Sequence, residues 1–231
     1  MAGMIDEKKK EVGEKAVEYI KDGMVLGLGS GSTVYWMLKK LGERVKEGMT
    51  VKGVSSSLRT EEWAKEFGIP LTTLSKARRL NLAIDGADEV DPSFNLTKGG
   101  GGSLLREKLV NDAAEKLIIV VDDSKLVNQL GVFPLPVEIV PFGWENTAEK
   151  IAGLQCQPKL RRENDEIFVT NNGNYIVDCQ FDEIFDPTAL HQNLKLILGV
   201  VETGLFIKMT DIVLVGGESG VRILEKKEQR E

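Results

Sequence analysis

The chain has 231 residues, 42% apolar and 29% charged, and 30 Lys+Arg against 36 Asp+Glu give a net charge of −6. At about 150 residues per domain this predicts one large domain or two small ones with an ample core. The composition excludes a disordered or collagenous chain. The acidic balance argues against a general nucleic-acid binder, and the longest strong apolar cluster, Leu117–Val121, falls far short of the ~18 residues of a membrane span.

Residues 1–12 are charged and lack the apolar core of a secretory signal. Cys156 and Cys179 have no CxxC spacing, which points to a reducing cytosol rather than a disulfide framework or zinc site. His191 is the single histidine, so base chemistry is expected to rest on carboxylates.

In chain order, apolar spacing predicts a helix over 7–21, a strand over 24–28 and a helix over 32–41. A strand at 51–54, a helix over 59–67 closed by Gly68, and a strand at 80–84 follow. A helix over 103–117 then runs into a strand at 117–121. Strands alternating with helices imply a doubly wound, mostly parallel α/β sheet of Rossmann-like type. The rhythm changes near Gln129, where two prolines fall within three residues at Pro134 and Pro136. Strands at 137–140, 167–170, 175–180 and 199–207, with helices at 146–154 and 187–198, predict a smaller α+β unit. A buried strand at 212–215 is expected to return to the first sheet, and 226–231 reads as a solvated tail. The predicted domains are therefore 1–129 plus 207–231, and 130–206.

Several segments could carry chemistry. Gly27-Leu-Gly-Ser-Gly-Ser-Thr33 lies between a strand and a helix, so free amides, hydroxyls and the helix dipole make an anion site. It lacks the P-loop lysine, and no acid follows the next strand to hold a ribose, so a phosphate monoester fits better than a dinucleotide. A plain strand-to-helix turn reads almost as well. In Ser55-Ser-Ser57, two of the three serines are expected to be only cap and solvated surface. Asp85-Gly86-Ala87-Asp88 follows a strand and can offer carboxylates to sugar hydroxyls; a metal there would be of the all-oxygen, magnesium type. Asp91-Pro92 reads as a loop cap. Lys98-Gly99-Gly100-Gly101-Gly102 places one cation beside backbone amides able to face an oxyanion.

Glu107 falls at the edge of the apolar stripe of its helix. Desolvation there would make it a better base, although periodicity alone favours an ordinary first-turn glutamate held by the helix dipole. Arg106 points into that stripe, which also contains Leu109, and needs a partner, at a subunit contact or on an acid of the site. Lys125 follows another strand end, Lys9 is a weaker candidate cation, and His191 is expected to pack or cap on its helix.

Taken together, these motifs resemble the type A ribose-5-phosphate isomerase family. The carrying residues are 27–34, 54–57, Asp85-Gly-Ala-Asp-Glu-Val-Asp91, Lys98-Gly-Gly-Gly-Gly-Ser-Leu-Leu-Arg-Glu-Lys108, 121–125, 133–138, 170–174 and 199–206, in the family's order over nearly the whole chain. The resemblance implies interconversion of D-ribose 5-phosphate and D-ribulose 5-phosphate through an enediolate, in the cytoplasm, without metal or organic cofactor. Glu107 would be the general base, with Asp85, Asp88 and Lys98 as the other catalytic residues. Ser30, Gly31, Ser32, Thr33 and Lys125 would hold the phosphate. Asp85, Gly86, Ala87, Asp88, Lys98, Gly99, Gly100 and Gly101 would surround the sugar. It further implies a ferredoxin-like small domain and a homodimer or homotetramer; charge and hydropathy argue against a nucleic-acid or membrane partner. A sugar-phosphate sensor and an amino-sugar-phosphate deaminase are the competing readings. The sensor would need an output domain, and the deaminase would release ammonia.

Overall fold

The computed structural model describes residues 2–226. The predicted tail beyond Lys226 lies outside the described residues. The chain forms two compact units. The first runs through Ala87, takes up Arg106–Leu126 and resumes at Met209; the second comprises Asp88–Leu105 and Val127–Lys208. Among the described residues, no helix is long and apolar enough to cross a membrane.

The first unit is an α/β layer structure around a six-stranded sheet. In spatial order its strands are Gly220–Glu225, Ile212–Gly217, Leu117–Asp122, Leu82–Asp85, Val25–Leu28 and Lys52–Ser55. All neighbours run parallel except the last hairpin, Ile212–Gly217 with Gly220–Glu225. The chain therefore closes on an antiparallel edge strand rather than on one returning strand, because the Gly217–Gly220 turn folds it straight back. Alternate residues explain the two covered faces. Leu26, Leu28, Leu82, Ile84, Ile118 and Val120 pack with Val12, Ala16, Val34, Met37 and Leu41 from the helices Ala2–Ala16 and Ser32–Lys46. Leu80, Val54 and Val110 form a separate cluster that includes part of the helix Leu104–Asp112.

That helix stops at Asp112, five residues before the predicted end. There the backbone turns to pair with Leu80: Leu80 N–H donates to Ala113 O at 2.9 Å and Glu115 N–H to Leu80 O at 2.8 Å. Sheet pairing outcompetes a helical pattern that alanine and lysine would have tolerated.

In the second unit, strand Leu135–Ile139, helix Trp144–Ala152, strand Gln157–Leu160, strand Tyr175–Gln180, helix Pro187–Lys195 and strand Val200–Thr203 follow in turn. The four strands pair antiparallel, with the last beside the first and the second at the far edge. This is a ferredoxin-like β-α-β-β-α-β arrangement. A three-stranded antiparallel sheet of Glu89–Val90, Leu96–Thr97 and Leu205–Phe206 belongs to the same unit. The expected boundary at 129 puts 88–105 in the first domain. These residues instead cluster with the second unit, tied there by strand pairing and by Val127 N–H to Val90 O at 3.0 Å. The predicted strand over 199–207 is split at Gly204, where a Cβ would stand 2.3 Å from Lys98 O. Only glycine lets one chain serve two sheets at that point.

Candidate active site

In the first unit, strands Val25–Leu28, Leu82–Asp85 and Leu117–Asp122 run parallel, so their carboxyl ends lie on one edge of the sheet. The carboxyl ends of such strands form the usual ligand crevice. Gly29 follows its strand directly, its N–H on Ile84 O at 2.9 Å, and a Cβ there would meet Asp85 Oδ1 at 2.2 Å. Gly31 takes φ +111° at the N-terminus of helix Ser32–Lys46 and provides no side-chain cap. The helical ladder begins with Tyr35 N–H on Gly31 O, so the amides of residues 32–34 precede it. Gly31 and Ser32 are exposed, while Thr33 is buried.

Ser30 has a different job from its neighbours. Its N–H donates to Asp85 Oδ1 at 3.0 Å, and its hydroxyl meets those of Ser56, Ser57 and Thr60 at 2.9–3.2 Å. Thr60 Oγ1 in turn donates to Gly29 O at 2.7 Å. The Ser30 hydroxyl is therefore engaged within the loop, while Ser32 and Thr33 open the helix beside it. The same network revises the reading of 55–57. Ser57 caps helix Leu58–Glu66, accepting from Thr60 N–H at 3.1 Å, but Ser56 and Ser57 are both buried in the loop's hydroxyl cluster rather than solvated.

Asp85 is fully buried. Its Oδ1 accepts from the Ser30 and Gly86 amides, at 3.0 and 2.8 Å, and its Oδ2 accepts from Asn111 Nδ2 at 2.9 Å. Asn111, which the sequence reading missed, lies one turn after Glu107 on the same helix face. Glu107 is only 4% exposed on the first turn of its helix. It is thus a buried first-turn glutamate rather than a solvated one. Arg106 lines a groove of about 460 Å³ with Val54, Leu71, Lys76 and Val110. Leu109, placed by periodicity in the apolar stripe, is half exposed on that groove.

Lys125 is half-buried in the short turn Asp123–Lys125 after the Leu117–Asp122 strand. Lys9 is half-buried on the first helix, but it is Lys8 that reaches this segment, with Nζ 3.0 Å from Asp123 Oδ1.

The second unit carries Asp88, Lys98 and the glycine run. Asp88 N–H donates to Thr97 O at 2.9 Å, and Asp88 Oδ2 accepts the Gly100 N–H at 2.8 Å. Lys98 is 3% exposed, with Nζ 5.5 Å from the centre of the Phe206 ring and its own N–H on Gly204 O. Gly102 N–H closes a turn onto Gly99 O at 3.0 Å. Of the amides expected to face an oxyanion, those of Lys98 and Gly100 are thus occupied. Among the described residues, the Gly99 and Gly101 N–H groups have no hydrogen-bond partner. Asp91 is a loop cap, accepting from the Ser93 and Asn95 amides at 2.8 and 2.9 Å. His191 Nδ1 pairs with Thr203 Oγ1 at 2.7 Å.

Comparisons with known proteins agree on one family. The model described as ribose 5-phosphate isomerase A (phosphoriboisomerase A) matches residues 52–220. A protein of Oceanobacillus iheyensis named ribose-5-phosphate isomerase A 1 is 52% identical over 219 residues, 94% of this chain and 98% of its own. The solved ribose 5-phosphate isomerase of Plasmodium falciparum superposes with a TM-score of 0.93 at 42% identity, covering 96% of this chain and 99% of that one. A D-ribose-5-phosphate isomerase solved in complex with phospho-erythronic acid gives a TM-score of 0.93 at 39% identity, with the same coverage.

Proposed function

The chain belongs to the ribose 5-phosphate isomerase A family and is an isomerase; from that premise we propose that Glu107 is the general base that moves a proton between C2 and C1 of ribose 5-phosphate. Glu107 removes the C2 proton of the open-chain aldose, leaving an enediolate. The same proton returns to C1 while the O2 hydroxyl proton ends on O1, giving ribulose 5-phosphate with no net oxidant. Asp85 relays the hydroxyl proton and assists ring opening, and hydrogen bonds from Ser30, Gly86 and Asn111 orient its carboxylate.

Ser32 and Thr33, with Lys125, grip the phosphate through a helix N-terminus and a cation. Binding energy from that remote group orients the reacting carbons. The Lys98 ammonium and the Gly99 and Gly101 amides stabilise the enediolate oxygens, and Asp88 orients the sugar hydroxyls. The chemistry needs neither metal nor organic cofactor in this reading, so activity should survive EDTA. The working form is a cytosolic homodimer or homotetramer.

One observation carries the base assignment: Glu107 is a buried carboxylate one turn from the Asn111 that holds Asp85. Glu107→Gln should lower kcat by about 10²–10⁴-fold, the range for a lost general base, while calorimetry still detects ribose 5-phosphate binding. Full activity in that variant would refute the assignment. Phospho-erythronic acid should compete with substrate in wild type and in Glu107→Gln alike.

A further inference from the structure

We propose that Arg161 is a positioning residue for the reaction: its guanidinium holds the carbonyls of Gly99 and Gly100 and so presents the Gly101 amide to the enediolate. Arg161 follows the strand Gln157–Leu160 directly, and its N–H is anchored on Ile176 O at 2.8 Å. Its Nη1 donates to Gly99 O at 2.8 Å and to Gly100 O at 3.2 Å. The far side of the guanidinium forks onto Asp178, with Nε to Oδ2 at 2.9 Å and Nη2 to Oδ1. Asp178 sits inside the strand Tyr175–Gln180, so the fork is mounted on the ferredoxin-like sheet. A guanidinium with both edges occupied has little freedom to swing, which a lysine in the same place would retain.

Peptide planarity turns this grip into directionality. The chain has no cis bonds among the described residues, so each N–H points opposite the carbonyl of its own peptide unit. The Gly99–Gly100 unit is held on both sides, its C=O by Arg161 and its N–H by Asp88 Oδ2. In the next unit only the Gly100 C=O is held, by the same Nη1, and the Gly101 N–H is thereby directed away from Arg161. Four successive glycines have no side chains to choose among peptide orientations, and Gly99 and Gly102 already take φ +103° and +80°. An oxyanion donor must be oriented before charge develops. Arg161 supplies the order that the loop's own sequence lacks. Phe168 supports the arrangement: its ring lies 5.8 Å from the guanidinium carbon and fills the space beside Gly102.

This inference rests on the proposed role of the glycine amides, and the test separates the two. Steady-state kinetics with ribose 5-phosphate are compared for wild type, Arg161→Ala, Arg161→Lys and Asp178→Asn, with thermal melting of each. Arg161→Ala should lose about 10- to 100-fold in kcat, less than complete removal of an oxyanion donor. KM should stay within about threefold, because the phosphate grip lies in another loop. Arg161→Lys should recover part of the loss by returning one donor, and Asp178→Asn should fall between Arg161→Lys and wild type. A wild-type kcat in folded Arg161→Ala, or a loss expressed wholly in KM, overturns the proposal. If Arg161→Ala does not fold, unchanged kcat in both Arg161→Lys and Asp178→Asn overturns it. A wild-type rate that depends on Glu107 but is indifferent to Arg161 sinks this inference alone. A rate indifferent to Glu107 sinks the base assignment instead.

Discussion

Two glycine loops, 29–31 and 99–102, are held in place by opposite means. The first lies between a strand and a helix of the parallel sheet, and its supports are mostly neutral: hydroxyls of Ser56, Ser57 and Thr60, with the single carboxylate of Asp85. Its anion-binding capacity comes from the helix it opens. The second loop is clamped by charged side chains, Asp88 on an amide and Arg161 on two carbonyls. A loop that grips a permanent anion can rely on a helix end. In the proposed reaction the second loop answers charge that appears only as the enediolate forms, so its amides need fixing beforehand, and the fixing groups come from elsewhere in the second unit.

The contrast can be broken most directly at Gly29. Gly29→Ala would drive a Cβ into Asp85, 2.2 Å from Oδ1 and 2.5 Å from Cα, with no flexible atom to give way. Activity should fall by more than about 100-fold, since Asp85 is the proposed proton relay and would be misplaced, and the melting temperature should drop. Normal kinetics in this variant would show that the loop tolerates displacement of Asp85. Gly102→Ala should be milder. Its Cβ meets the far end of the Phe168 ring, a side chain that can swing aside, and the positive φ of +80° adds about 1–2 kcal/mol. A destabilisation of that size in denaturant titration, with kcat reduced less than in Gly29→Ala, would sharpen the comparison; the reverse order would break it.

The smallest effect lies outside both loops, as a calibration of a purely surface hydrogen bond. Asp22 accepts from Thr50 N–H at 2.7 Å and from Thr50 Oγ1 at 2.9 Å, and these bonds hold its carboxyl below the ordinary 3.8. A lowered folded-state pKa contributes stability that is complete above the unfolded value and is lost as pH falls through the folded one. The melting-temperature difference between wild type and Asp22→Asn should therefore be constant above about pH 5 and vanish in strong acid. A difference that persists unchanged at low pH would mean the carboxylate's charge is irrelevant.

The first loop was legible in the sequence because its parts are neighbours in the chain: apolar strand, glycines, hydroxyls, helix. Periodicity likewise located most helices and the central strands. It failed where a partner is remote. Asn111 carried a faint signal, a polar residue four positions after Glu107 on a face otherwise apolar, but nothing local linked it to Asp85. Arg161, inside Lys159-Leu-Arg-Arg162, reads as one more surface cation. The short strands Glu89–Val90 and Leu96–Thr97 were missed because two residues are too few to show a period.

By itself, the sequence determined the order of strands and helices, the change of architecture after Gln129, and the residue types able to hold a phosphate and move a proton. These follow from backbone preference and side-chain chemistry, which act over a few residues. Only the tertiary structure decided that residues 88–105 join the second unit, that the Ser30 hydroxyl meets those of Ser56, Ser57 and Thr60, and that Arg161, itself held by Asp178, grips the glycine run. Each depends on strand pairing or a side-chain contact between segments far apart in sequence, and no local pattern encodes which distant donor will meet which carbonyl.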